Sequence, residues 1–409
     1  MPIASGIAKQ VRFKREATFN LAPGAAAAQL LRNIESGINV EKDTYQSSEK
    51  RSDYQISDFR HGVRKSNGTI KGEISPKTYS DFISAALRRD FTAGVSIAGV
   101  SVTIAVGALV NGVQQYTVTR AAGSYLTDGI KAGDVTRLTV GALNVSNINK
   151  NLYVISLTAT VLTVIVLNST AMVAEGPIVT TTVSVFGKKT FTPTTGHTDI
   201  SYAVEHWYND VSLSELYTGT KVNTIDMSLP PTGMATIDVG MMGCGSITTA
   251  GAQYYTAPTA SPTTGVTAAV NGVLYVAGVA VATCTGLSFK IDGGYSSDPV
   301  VGSNFMPAIF PGRVNITGQF TAYFDSATFR DAFLNETELA LSSVLTADNT
   351  ATADFIAINI PRIKLGSATR SDGEKGIIVT ADFQALFNGL GGAGTASEQT
   401  TLSIQDSAA

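Results

Sequence analysis

The chain has 409 residues, 44% of them hydrophobic and only 15% charged, with a formal net charge of −3 and a pI near 5.7. That length favours two domains over one, and a charged fraction well under the usual ~25% suits a surface partly hidden by other subunits. The balance excludes non-specific duplex binding through clustered Lys and Arg; the only two cysteines, Cys244 and Cys284, make no disulfide framework, so synthesis in a reducing cytoplasm is expected.

Met1-Pro2-Ile3 leads into Lys9, Arg12, Lys14 and Arg15 with no apolar core behind them, so no secretory signal is expected. Residues 9–20 read as an arm or a first strand. Residues 25–33, AAAAQLLRN, are helix formers and predict a short turn or helix. Between Ile38 and Val63 the polar run EKDTYQSSEKRSD separates two extended pieces, the pattern of a long hairpin whose tip leaves the core. Thr69-Ile70-Lys71-Gly72-Glu73-Ile74 alternates, placing Ile70 and Ile74 on one face of a strand. Ser75-Pro76 then opens a predicted helix. It carries Tyr79, Phe82, Ile83, Ala86 and Leu87 at helical spacing, with Arg88 and Arg89 at its negative end.

Residues 91–187 differ from their flanks in having few charges and many Val, Thr and Gly. The apolar runs at 95–110 and 152–167 fall short of the ~20 residues a membrane-crossing helix needs, and their Val, Ile, Thr and Ser read as buried strands, so no membrane insertion is expected. With residues 123–140 and 149–166 they predict a compact small-barrel module. It is expected as a separate domain, inserted where both chain ends lie at a surface. The chain then divides into a discontinuous main domain, 1–90 with 188–409, and an inserted domain, 91–187.

Beyond the module, Ile225, Met227 and Leu229 alternate with Thr224, Asp226 and Ser228. Ala235, Ile237 and Val239 alternate with Thr236 and Asp238, and Leu287, Phe289 and Ile291 with Ser288, Lys290 and Asp292. Residues 314–324 alternate and pass into a helix from Ser326 carrying Phe329, Phe333 and Leu334, a degenerate repeat of the earlier strand-then-helix unit. Residues 355–361 and 376–387 give two further strands. The fold class is mainly β: an antiparallel sandwich or half-barrel with one or two short helices and an inserted small β-barrel.

KREATFNLAPG, IESGINVEKDTYQSSEKRSDYQISDFRHGV and GTIKGEISPKTYSDFISAALRR resemble tail tube proteins of phages with long, non-contractile tails. The resemblance resumes at FGKKTFTP and runs through DISYAVEHWYNDVSLSELYTGTKVNTIDMSLPPTGMATIDVGMMG. VVGSNFMPAIFPGRVNITGQFTAYF, IPRIKLGSATRSDGEKGIIVTADFQAL and the terminal TTLSIQDS extend it to about three quarters of the chain, with 91–187 outside. It implies a subunit of hexameric rings whose strands close a continuous lumen, with arms and a long hairpin locking successive rings. Carried over, the hairpin is residues 38–63, including Glu41, Lys42, Asp43, Tyr45, Glu49, Lys50 and Arg51; the arms are residues 2–20 and the tail after Gly389. The implied place is the virion tail. The implied partners are further copies of the chain, tape measure, tail terminator and tail-tip proteins, and duplex DNA that passes without specific binding.

The polar faces of the alternating strands give the candidate lumen residues Glu73, Asp226, Asp238, Thr317 and Gln319, whose acidic and neutral side chains would repel phosphate. An ordinary solvated sheet face is the alternative for each. No reactive constellation assembles: His61, His197 and His206 lack metal-ligand spacing. Cys244 has no partner histidine or G-x-S-x-G context, and the glycines and lysines at 62–68 and 187–189 complete no phosphate loop. Asp292-Gly293-Gly294 and Asp372-Gly373 read as turns. No cofactor, metal or enzymatic activity is expected. A second reading stays open, a tail-associated adhesin whose inserted module binds a host glycan.

Overall fold

The computed structural model describes residues 3–409 apart from 169, 269–271, 277–278, 282–283, 325, 372–373 and 375; the turn expected at Asp372-Gly373 and the arm residue Pro2 lie outside the described residues. The elements used below are, in chain order, β1 (Lys9–Arg15), β2 (Asn39–Gln46), β3 (Phe59–Glu73), α1 (Ser80–Leu87), β4 (Ser96–Val110), β5 (Val113–Arg120), β6 (Val135–Thr139), β7 (Leu152–Leu157), β8 (Val161–Val166) and β9 (Glu175–Val185). They continue with β10 (Lys188–Phe191), β11 (Tyr202–Tyr208), β12 (Leu213–Leu229), β13 (Thr236–Gly243), β14 (Gly245–Ala250), β15 (Gly272–Val276), β16 (Cys284–Asp292) and β17 (Asn315–Tyr323). The last are α2 (Thr328–Leu334), β18 (Leu339–Thr346), β19 (Phe355–Leu365), β20 (Ile378–Ala385) and β21 (Ser403–Asp406).

The fold is mainly β and antiparallel. Period-two alternation lets one sheet run β3–β13–β12–β16–β17–β20 with every strand burying the same parity of residue. Ile70, Val239, Ile225, Ile291, Ile316 and Phe383 all face one large core. β20 continues to β19, whose other pairings are to β18 and to β21, and β21 leads on to β10. The long β12 is shared: its first half pairs with β11 and β14, its second with β13 and β16. α1 packs on the apolar side, where Phe82 meets Phe13 at 4.7 Å and Tyr202 at 5.3 Å between ring centroids. The second strand-then-helix unit, β17–α2, has the predicted order, but within α2 only Ala332 is buried.

α1 begins at Ser80, later than the Ser75-Pro76 start expected from sequence. Ser75 and Thr78 bond each other through their hydroxyls at 2.6 Å, and Lys77 takes a left-handed φ of 72°, which an α-helix cannot contain. The Lys77 N–H and Ser80 hydroxyl instead donate to the Asp406 carboxylate at 2.7 and 2.8 Å. Residues 25–33 form no helix. Gln29 and Leu30 pair with Phe13 and Arg12, and Leu30 N donates to Thr259 O, so tertiary pairing overrides intrinsic propensity.

Within the expected arms two strands are folded into the subunit, while Ile3, Ile7 and Leu390 stand in solvent. β1 lies between β11 and the Gln29–Leu30 pair, with Val11 and Phe13 in the core. β21 lies between β10 and β19 and is buried along its whole length. A buried ion pair fixes β1: Arg12 meets Glu205 at 3.4 Å and donates to Gln253 Oε1, Tyr255 O and Gln10 Oε1. Glu205 also accepts from Ser214 Oγ at 2.7 Å and from the Tyr254 N–H at 2.6 Å.

The inserted segment forms a closed barrel in the order β7–β8–β5–β4–β9–β6, sealed by β6–β7 pairing. It has its own core, including Val102, Val118, Tyr125, Val154 and Val164. Chain entry and exit run side by side, Thr92 and Ala93 pairing with Lys189 and Lys188, and Gly94 N donating to Gly187 O at 3.1 Å. The barrel is seated on the main sheet by a third apolar cluster joining Val135, Tyr153, Ile165 and Leu167 to Tyr275, Val344, Phe355 and Ala357. Tyr153 stacks on Tyr275 at 4.9 Å. The Gln405 amide accepts from Val135 N at 2.8 Å and donates to Val135 O and Phe186 O, serving as a strand rung between the two parts. Lys189 bridges Asp134 at 2.7 Å and Glu398 at 2.8 Å; burial alone would lower its pKa, but the two carboxylates outweigh it and hold it above the usual range.

Candidate functional surfaces

Sheet register decides whether the candidate lumen residues share a surface. Lys71, Asp238, Asp226, Lys290, Thr317, Gln384 and Lys364 lie opposite one another in succession, a polar row crossing the whole sheet. A second row, two residues along, is Glu73, Thr236, Ser228, Ser288, Gln319 and Asp382. All five predicted residues therefore sit on the face opposite the core. The face is gently hollow: both rows contribute to a concavity of about 610 Å³.

Register supplies what alternation alone could not, the neighbours of each residue. The rows hold four carboxylates, Glu73, Asp226, Asp238 and Asp382, against the three ammonium groups of Lys71, Lys290 and Lys364, so the face is mixed with one negative charge in excess rather than acidic and neutral throughout. Asp226 is held above its ordinary pKa by partial burial, an effect Lys290 opposes and Asp238 and Asp292 reinforce. Asp382 is held below its ordinary value by hydrogen bonds from Gln319 Nε2 and Ser367 Oγ, both 2.7 Å.

The predicted hairpin is β2 and β3 joined through residues 47–58. All of β2 but Asp43, which is half-buried, is exposed, and among the described residues β2 pairs with β3 alone. Glu41, Lys42 and Tyr45 lie opposite Lys65, Arg64 and Arg60, and Asp43 reaches Lys65 at 3.5 Å. At the tip Arg51 pairs with Asp53 at 2.7 Å, and Glu49 accepts from Ser57 Oγ at 3.0 Å; Lys50 is exposed. The residues expected from sequence are the charges and Tyr45; the other apolar side chains among them are not part of that expectation. Tyr54 is 98% exposed and Ile56 66%, with Tyr45 and Phe59 about half exposed beside them. Such a group of large apolar residues on a projecting ribbon marks an association surface. The signal was present as Tyr54, Ile56 and Phe59 interleaved with Asp53 and Asp58.

The histidines have separate settings. His61 is exposed on β3 and stands against Phe59, and His197 is exposed. His206 is buried and shares a 2.7 Å hydrogen bond with Ser36 Oγ. Burial, with Lys9 nearby, lowers its pKa to about 3. Between pH 6.5 and 3 the unfolded chain therefore binds a proton that the folded chain refuses, and stability falls with acidification, by up to ~1.4 kcal/mol per pH unit from this group. Melting temperatures measured from pH 7 to pH 4 should fall less steeply for His206→Gln than for the parent; equal slopes would remove His206 from the account. Cys244 is buried, which pushes its thiol up to about 11, so it is a poor nucleophile at neutral pH. Among the described residues no cluster of three or more His, Cys, Asp or Glu side chains is placed to hold a metal, and no helix is long and apolar enough to cross a membrane.

A mixed-charge sheet face backed by a deep core, and a ribbon that holds apolar side chains in solvent, define a structural subunit built to meet other surfaces. The family model described as phage tail tube protein matches residues 6–385. The chain belongs to that family and is a structural protein of a phage tail. The matched range runs through the barrel as well as the main sheet. Comparison with curated proteins found no match.

Proposed function

We propose that this chain polymerises as hexameric rings stacked into the tube of a long, non-contractile tail, with the two polar rows lining the bore through which the genome is ejected. The alignment of Glu73, Asp226, Asp238, Thr317 and Gln319 on one hollow face, in a chain of the tail tube family, is the observation that carries this reading. Each lysine of the first row stands beside a carboxylate or a neutral amide, so phosphates passing the face meet little unpaired positive charge. The hairpin, through Glu41 to Tyr45 and Glu49 to Arg51, engages the next ring, and residues 91–187 form a separate domain on the outside. Tape measure, tail terminator and tail-tip proteins are its partners in the particle, and synthesis takes place in the host cytoplasm.

Negative-stain microscopy of the purified chain should show rings or tubes; a strictly monomeric protein across wide ranges of concentration and salt would count against the reading. The lining has its own test. Asp226→Lys with Asp238→Lys removes two negative and adds two positive charges per subunit, and tubes of this variant should retain short duplex DNA in a salt-dependent manner while parent tubes do not. Equal retention by both would move the rows off the bore.

A further inference from the structure

The barrel carries a surface that neither its own core nor its seat on the main sheet uses. β4 pairs with β9 only as far as Ile104, opposite Glu175, while its pairing with β5 continues to Val110. Beyond Ile104 the outer edge of β4 has no strand against it among the described residues. Val106 and Leu109 on this overhang are 53% and 67% exposed. Glu175 accepts from Asn144 N and from Asn147 Nδ2, and Val173 N donates to Asn147 Oδ1. These bonds set the exposed Val145 and Val173 beside the same edge.

The patch is also poor in charge, with Glu175 the charged residue at its border. Residues 101–119 and 138–149 contain no Asp, Glu, Lys or Arg, and Glu175 is the one charged residue in 151–187. Exposed strand edges are normally guarded by Lys, Pro or strong bulges; this one has a single register irregularity between Val106 and Leu109. Gln114 Nε2 donates to Gly107 O and Ala108 O within the overhang; a strand edge flanked by valines selects a polypeptide strand over a lipid or a sugar, since only a strand pairs with the backbone while covering the apolar rim. The partner that meets the edge in fixed geometry is another copy. Gln405, Tyr153 and Tyr275 hold the barrel on the main sheet, so every subunit presents the edge at one angle, and an edge whose own residues carry no charge meets no charge repulsion from its neighbour.

We propose that the edge at residues 105–110, with Val106, Leu109, Val145 and Val173, is a contact between the barrels of neighbouring copies. In a polar tube it meets a different face of the next barrel, a heterologous contact that repeats along the polymer. The proposal rests on the tube reading, and hydrogen exchange on the full-length protein separates the two. Amides 105–110 should exchange at least ~tenfold slower in assembled tubes than in free subunits. Val106→Lys with Leu109→Glu should abolish that protection and raise the assembly threshold roughly tenfold. Parent tubes with unchanged exchange at 105–110 overturn the proposal, whether or not the double variant folds; parent protein that forms no tubes overturns the tube reading instead. Co-sedimentation of the free subunit with phosphatidylcholine vesicles, lost in the double variant, would assign the face to lipid and overturn the proposal as well.

Discussion

Replacing Tyr54, Ile56 and Phe59 together by serine should stop tube growth and leave the subunit folded. In the single subunit these side chains lie half or more in solvent, so folding draws little on them. If they are buried against the next ring, each contributes roughly 1.5–3 kcal/mol, and losing three removes about 4 kcal/mol or more, close to a thousandfold in the concentration needed for assembly. Sedimentation against concentration, with near-UV circular dichroism to confirm folding, gives the measurement. Deleting residues 42–52 is the coarser version with the same expected result. Tubes forming at the parent concentration in both variants would show that the ribbon has no part in joining rings.

The largest effect on folding is expected at Glu205. Its carboxylate is fully buried and meets Arg12 while accepting from Ser214, Tyr254 and Tyr255. Glu205→Ala leaves the Arg12 guanidinium buried without its counter-charge and strips two backbone N–H groups of their acceptor. Breaking one side of such a pair costs about 3–5 kcal/mol. The variant should melt well below the parent or accumulate insoluble. Replacing both partners by apolar residues, Arg12→Met with Glu205→Leu, should recover most of the loss. A melting temperature for Glu205→Ala within a degree or two of the parent would show that water reaches the site.

Much of this architecture is legible from residue order because its strands alternate cleanly. Ile225, Met227 and Leu229 against Asp226 and Ser228 give the buried parity directly, and the barrel shows itself as a charge-poor block between two charged flanks. What alternation cannot give is register. That Asp226 faces Asp238 on one side and Lys290 on the other follows from turn lengths and bulges, such as the shift between Val222 and Thr224, which composition does not encode. The misread segments share one cause. Residues 25–33 and 75–79 have local preferences for helix, yet distant groups, the Thr259 carbonyl and the Asp406 carboxylate, claim their backbone N–H groups. Residues 9–20 read as an arm or a first strand and hold a strand, β1, whose partner β11, like the partners β10 and β19 of β21, lies far away in sequence. The apolar tip of the ribbon is masked in the sequence because charges dominate its composition.

The side-by-side entry and exit of the barrel make it a natural cassette. Two chain ends already joined by a backbone hydrogen bond between Gly94 and Gly187 could be bridged by a short turn, or by a foreign domain with adjacent termini, without moving a strand of the main sheet. The seat beneath sets the condition for such an exchange. Tyr275, Val344 and Phe355 would lose their cover, so any payload must arrive with its own apolar base, or those three positions must be made polar at the same time.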